Sequence, residues 1–106
     1  MIKRVSIFSL PPGADADEFW EYWRTRHAAD VKRLAGDKIK KYVINRVITE
    51  HEKEVRFWGL IETWWDTPED YHNLFSPPDA KAFYQDFWER TVSGGSAFVE
   101  ELEIPV

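Results

Sequence analysis

Residues 19–30 read FWEYWRTRHAAD, and this stretch says more about the fold than any other part of the chain. On an α-helix, Phe19, Trp23 and His27 stand four residues apart and therefore share one face. Large aromatic side chains on that face indicate that it is buried. Burial tends to keep an imidazole neutral, and a neutral imidazole can accept a proton. His27 is therefore either a hydrogen-bonded core histidine or an acid/base group, and the residues alone favour the first.

The segments around this helix alternate between strand and helix patterns. Asp15 followed by Glu18 is typical of a helix start, and so is Thr67 before Pro68. Strands are predicted at 2–10, 39–49, 55–65 and 97–104, and helices at 15–34 and 67–92, the second broken at 76–79. A charged turn is predicted at 50–53 and a glycine-rich loop at 93–96.

The order of these elements, βαββαβ, predicts the fold class. With right-handed crossovers it gives an α+β, ferredoxin-like domain, in which a four-stranded antiparallel sheet carries both helices on one face. The length of 106 residues suits a single domain spanning 1–106.

The third predicted strand has large apolar residues on both faces, which bears on assembly. Alternation places Phe57, Ile61 and Trp65 on one face, and Trp58, Leu60 and Trp64 on the other. Two helices cover only one face of a sheet, and a solvent-facing strand would alternate with polar residues. The sequence therefore predicts a homodimer with the two sheets packed together.

Composition excludes several classes of function. The chain has no cysteine, so disulfides and thiolate chemistry are excluded, and its net charge of −5 argues against nucleic acid as a partner. No apolar run reaches about 20 residues and no signal-peptide pattern opens the chain, so no membrane partner and a cytoplasmic location are expected. The three histidines lack metal-ligand spacing, so no metal site is predicted. No cofactor is expected, but haem stays an alternative because a single histidine suffices to bind it.

Six Trp, seven Phe and four Tyr are more aromatic residues than one small core needs, so some of them are expected to line a ligand pocket. The second helix carries an aromatic stripe of Phe83, Tyr84, Phe87 and Trp88, which is expected to meet Trp23 and His27 between helices and sheet. Ordinary core packing is the alternative for each of these residues.

Three polar side chains could hold a ligand oxygen in such a pocket. The phenols of Tyr22 and Tyr84 and the amide of Asn45 are candidate hydrogen-bond donors, although each could equally serve packing or a backbone group. Glu62 is a single acid in an apolar strand, and a charge near the strand end, facing solvent or an arginine across the dimer, is favoured over a catalytic role.

The residues also resemble a known family. The segment from Phe19 to Ala28 resembles the F-x-x-Y-W-R-x-x-H-A signature of the EthD domain, and residues 59–66, GLIETWWD, resemble its G-x-x-E-x-W-F-D strand. Residues 42–47 resemble the second strand of the family. The resemblance implies a dimeric α+β barrel, makes His27 the first choice as the catalytic residue, and places Trp65 where a phenylalanine is commoner.

Together these observations favour a homodimer that binds a hydrophobic or aromatic small molecule between sheet and helices. Its expected activity is cofactor-independent proton transfer by His27, of the isomerase, dehydratase (lyase) or cyclase type. The substrate-binding set is Tyr22, Trp23, Asn45, Trp65, Phe83, Tyr84, Phe87 and Trp88. The alternatives are a non-catalytic binding or accessory protein, and a haem-handling enzyme or cofactor-free oxygenase, which would be an oxidoreductase.

Overall fold

The structure is a computed structural model that describes residues 1–48 and 56–106. Its strands are β1 (Ile2–Ser9), β2 (Ile39–Arg46), β3 (Gly59–Trp65) and β4 (Val92–Val99). Its helices are α1 (Ala16–Tyr22), α2 (Ala28–Ala35), α3 (Pro68–Asn73) and α4 (Ala80–Glu89). A π-helical turn (Trp23–His27) joins α1 to α2, and a short 3₁₀ turn (Gly36–Lys38) precedes β2.

The four strands form one antiparallel sheet in the order β2-β3-β1-β4, with the helices on one face. The predicted α+β, ferredoxin-like class is therefore confirmed. Both helix starts have the expected caps: the Asp15 carboxylate accepts from the Glu18 N–H, and the Thr67 hydroxyl accepts from the Asp70 N–H. Within the described ranges, none of the helices has the length and apolar content needed to cross a membrane.

The helix-facing side of the sheet holds the core in two clusters. One joins Phe8 to Phe19, Trp23 and Phe87, and the other joins Trp65 to Ala35 and Leu74. The rings of the first cluster meet mainly edge-on or tilted, for example Phe8 and Trp23 with centroids 5.0 Å apart. A cavity remains on this side of the sheet, where β1 and β3 carry polar side chains.

The stretch 93–96, predicted to be a loop, belongs to β4 and pairs with β1, so that prediction was wrong. Gly94 lets the two strands approach, since a Cβ there would come within 2.9 Å of the Ile7 side chain, and the register shifts beside this point. Strand pairing needs only backbone groups, and the side-chain pattern did not reveal it. The strand accordingly ends at Val99 instead of residue 104, and the preceding helix ends at Glu89.

The predicted face of Trp58 was also wrong. Trp58 precedes β3 in a bend, donates its N–H to the Phe8 carbonyl, and turns its indole towards the helices. It packs against Phe19 at 5.5 Å and Trp23 at 5.9 Å between ring centroids. The strict alternation used for the prediction applies only inside the strand. The predicted charged turn at 50–53 lies outside the described residues.

No helix formed by residues 1–48 or 56–106 covers the other face of the sheet. Val5 and Ile7 of β1 and Val99 of β4 border a shallow apolar depression there. Beside it, the Glu62 carboxylate pairs with Lys3 at 2.7 Å and accepts a hydrogen bond from the Asn45 amide at 2.9 Å. Lys3, and then Asn45, hold the pKa of Glu62 below its usual value against the effect of burial.

Candidate functional site

A cavity of about 60 Å³ lies between the sheet and the helices. Its floor is formed by the helix-facing side chains of β1, β2 and β3, which are Arg4, Ser6, Tyr42, Ile61, Thr63 and Trp65. The volume corresponds to roughly two water molecules. A larger ligand therefore requires the cavity to widen, and the half-buried rings of Phe75, Phe83 and Tyr84 form the wall that would have to move.

His27 lies in the opposite wall, where the π-helical turn places it. Its aromatic and apolar neighbours on the helix, Phe19, Trp23, Val31 and Ala35, recur every four residues and are all buried. Because an α-helix turns by about 100° per residue, a four-residue spacing drifts by about 40° at each step. The π turn, in which the Ala28 N–H reaches the Trp23 carbonyl, corrects part of this drift and keeps the stripe on the core.

The imidazole of His27 is 7% exposed and packed between aromatic rings. It stacks on Phe87 with centroids 4.2 Å apart and on Phe83 at 5.2 Å. Its Nδ1 atom is buried and has no hydrogen-bond partner among the described residues. Burial lowers the pKa of His27 to about 4, although Asp30 and Asp86 act in the opposite direction. At neutral pH the ring is therefore uncharged and can accept a proton.

This shift predicts how stability depends on pH. The unfolded chain binds a proton at His27 below about pH 6.5, whereas the folded chain does so only below about pH 4. The free energy of unfolding is therefore highest above about pH 6.5, where His27 is uncharged in both states. It decreases as pH falls towards 4, by about 3 kcal/mol in total, because the unfolded chain takes up the proton first. We expect His27→Gln to remove this part of the pH dependence of the free energy of unfolding, as measured by urea denaturation at pH 7 and pH 4.5.

The exposed His72 provides the matched control, because His72→Gln removes an imidazole without changing the core. That variant should keep the wild-type free energy of unfolding at pH 7. If His27→Gln keeps the wild-type pH dependence, the imidazole of His27 is not held neutral by the fold.

The floor of the cavity is polar at its centre. Arg4 stands opposite Thr63 in the neighbouring strand β3 and opposite Phe98 in β4. The Thr63 hydroxyl oxygen accepts the Trp65 indole N–H at 2.8 Å, which leaves its own proton to donate. The Ser6 hydroxyl shares a hydrogen bond of 2.8 Å with that of Ser96.

Tyrosine hydroxyls add further donors. Burial raises the pKa of Tyr42 well above its ordinary value. Burial, followed by the neighbouring Tyr84, raises the pKa of Tyr71, while Arg4 acts in the opposite direction. These phenols are thus protonated at neutral pH and can donate hydrogen bonds to a ligand.

Four of the residues predicted from sequence come together at this cavity: His27, Trp65, Phe83 and Tyr84. Phe87 is 1% exposed and supports the imidazole from the core side without lining the cavity. Trp88 packs against Phe87 and against Tyr84 at the margin of the core cluster. The aromatic stripe lies on α4. Its residues Phe83 and Tyr84 line the cavity, whereas Phe87 and Trp88 belong to the core cluster.

Three predicted ligand-binding residues lie elsewhere. Trp23 is fully buried in the core, since it fills the space between Phe8 and Trp58. The Tyr22 hydroxyl donates to the Asp86 carboxylate at 2.9 Å, beside a different surface depression. Asn45 is on the opposite face of the sheet, because its position in β2 alternates away from Tyr42 and Ile44, and it binds Glu62 instead.

Five polar residues that line the cavity were not predicted from the sequence: Arg4, Ser6, Tyr42, Thr63 and Tyr71. Alternation along β1 contained a signal for two of them, because it puts Arg4 and Ser6 on the same face as Phe8. A charged and a hydroxyl residue on a core face indicate a polar site. Among residues 1–48 and 56–106, no three His, Asp or Glu side chains are grouped so that they could hold a metal ion.

Comparison with solved structures supports the fold. An EthD family protein from Bacillus halodurans is 17% identical, with a TM-score of 0.72 over 96% of this chain and 100% of that one. SnoaB, a cofactor-independent oxygenase from Streptomyces nogalater, is 13% identical, with a TM-score of 0.70 over 97% and 94%. A dimeric ferredoxin-like protein of unknown function from Thermobifida fusca is 12% identical, with a TM-score of 0.61 over 92% and 86%. At these identities the likeness shows the fold alone.

Similarity of sequence, unlike similarity of fold, can assign the chain to a family. None of the curated proteins matches the chain. A model of the EthD domain matches residues 11–88, which is more than half of the sequence and includes the helix with His27. The chain therefore belongs to the EthD family.

Proposed function

We propose that this protein binds a hydrophobic or aromatic small molecule between sheet and helices and transfers a proton on it with His27. The observation that carries the proposal is the imidazole of His27, which lines the cavity and is buried against Phe87. Its Nδ1 atom has no hydrogen-bond partner in the part of the chain that the structure describes. A buried polar atom without a partner costs free energy, and a ligand bound there could supply the missing hydrogen bond.

The proposed chemistry is general acid/base catalysis without a cofactor. The uncharged imidazole accepts a proton from a carbon next to a carbonyl group, and the hydroxyl donors of the cavity stabilise the oxygen that gains charge. Isomerisation, loss of water and cyclisation all begin with such a step. Oxygenation without a cofactor is the second candidate, since a deprotonated substrate can react with O₂ and the cofactor-independent oxygenase SnoaB shares the fold.

The test begins with the ligand. Protein purified without added ligand is denatured, and the small molecules that it releases are identified by mass spectrometry. The identified compound and a panel of aromatic ketones are then incubated with the protein, and conversion and oxygen consumption are followed. Conversion without oxygen uptake supports proton transfer, and uptake supports the oxygenase. A higher melting temperature without conversion supports a binding protein and contradicts catalysis.

We also propose that two chains pack through the helix-free face of the sheet to form a homodimer. Val5, Ile7 and Val99 present apolar surface there, and Val99 is 38% exposed in the single chain. Apolar surface on a sheet face is stabilised when a second chain covers it. The Thermobifida protein of the same fold is itself dimeric.

A further inference from the structure

Arg4 is a cation in the cavity wall, and none of the carboxylates in residues 1–48 and 56–106 pairs with it. Its guanidinium carbon stacks over Tyr71 at 4.1 Å and over Phe98 at 5.1 Å. Its Nε atom is buried, with no hydrogen-bond acceptor among the described residues. By contrast, the neighbouring Lys3 pairs with two carboxylates on the other face of the sheet. The fold thus places a guanidinium group in the cavity and leaves its charge uncompensated within the described part of the chain.

The groups around Arg4 favour an anion over a cation. The described residues that line the cavity include no aspartate and no glutamate. They do include the hydroxyl of Thr63, whose oxygen is already occupied by the Trp65 N–H, and the hydroxyls of Tyr71 and Tyr84. Hydrogen-bond donors and one fixed positive charge are what a carboxylate needs, because a carboxylate only accepts.

The rest of the cavity is apolar. Phe75, Phe83 and Leu74 line it on the helix side, and Ile61 and Trp65 line it on the sheet side. A fully polar anion such as phosphate would leave these surfaces unused, whereas an aromatic or aliphatic acid would cover them. His27 lies on the helix side as well, across the cavity from the strand that carries Arg4.

We propose that the cavity takes a carboxylic acid with an aromatic or other apolar body, and that Arg4 binds its carboxylate. The inference rests on the proposed small-molecule function and narrows its substrate class. Arg4 holds the acid group against the sheet, the hydroxyls beside it supply further hydrogen bonds, and the apolar body lies towards His27 and the helices. An acid bound in this way offers the buried Nδ1 atom a reactive group at a fixed distance from its carboxylate.

The test uses a matched pair of probes, phenylacetate and the neutral phenylacetamide, titrated by NMR into the wild-type protein and variants. Wild-type protein should bind the acid about 10- to 100-fold more tightly than the amide, since a hydrogen bond to a charged group is the main difference. Arg4→Met should lose this preference and keep its weak affinity for the amide. Lys32→Met, which removes one positive charge from the exposed surface of α2, should behave as wild type.

The outcomes separate this inference from the proposed function. If acid and amide bind equally well, Arg4 is not a carboxylate site, but the cavity still binds small aromatic molecules. If neither probe binds, the cavity is not such a site, and both proposals fail. Should Arg4→Met not fold, Arg4→Lys keeps the charge without the planar fork, and it should retain part of the preference. A preference for the acid that is unchanged in Arg4→Lys and lost in Lys32→Met would overturn the assignment to Arg4.

Discussion

Replacing His27 by asparagine is expected to lower turnover of the substrate by roughly 10²–10⁴-fold, which is the usual contribution of a positioned acid/base group. Asparagine retains a polar group of similar reach, but it cannot accept a proton near neutral pH. Because the pKa of the native imidazole lies at about 4, the wild-type rate should rise with pH through this value and level off above it. The measurement is kcat/KM against pH, with the substrate identified from the purified protein.

Two comparisons make this result decisive. His72→Asn changes an exposed histidine outside the cavity and should leave the rate unchanged. Circular dichroism should show that the His27 variant remains folded, since a loss of structure would itself abolish activity. A folded His27→Asn protein with nearly normal turnover would exclude His27 as the acid/base and leave it a binding or packing role.

Ile7→Asp should convert the proposed dimer into a monomer. Ile7 faces away from the helices and borders the apolar depression on the free face of the sheet. In a two-fold symmetric interface each substitution acts twice, and losing an apolar side chain costs about 1.5–3 kcal/mol each time. The dissociation constant should therefore rise by roughly 10²–10⁴-fold. Light scattering over a range of protein concentrations measures this change.

Ile48→Asp is the matched control, because it makes the same chemical change at a residue that is 83% exposed and lies outside the sheet. It should leave the mass at twice that of the chain. A wild-type protein that is monomeric at micromolar concentration would contradict the proposed dimer. An Ile7→Asp variant that dimerises as tightly as wild type would show that the dimer interface is not on this face of the sheet.

The element order and the helix starts were predictable because they depend on local chemistry. Asp15 and Thr67 cap their helices through side-chain oxygens that the sequence displays directly, and the apolar stripe of Phe19, Trp23 and His27 is buried as its spacing indicates. Such signals involve neighbours within one turn. They do not depend on how the rest of the chain folds.

The cavity was only partly predictable, because it depends on which strands become neighbours. Arg4 and Thr63 are far apart in sequence and meet only through the register of β1 with β3. Asn45 and Trp58 were assigned to the wrong places because strand limits and the absolute orientation of a face are set by tertiary packing. The strand at 92–99 was missed in part because Gly95 pairs with Ile7 through backbone atoms, Gly94 is passed over at the register shift, and neither glycine shows side-chain alternation.

The π turn at Trp23–His27 has a consequence for comparing this chain with its relatives. It holds one more residue than a turn of regular α-helix does. A relative whose helix is regular at this point needs one residue fewer between the equivalents of Trp23 and Val31. Its alignment with this chain must then have a gap within a helix, where gaps are usually penalised. Without that gap, the histidine is paired with a neighbouring position, and a shared acid/base residue is scored as a substitution.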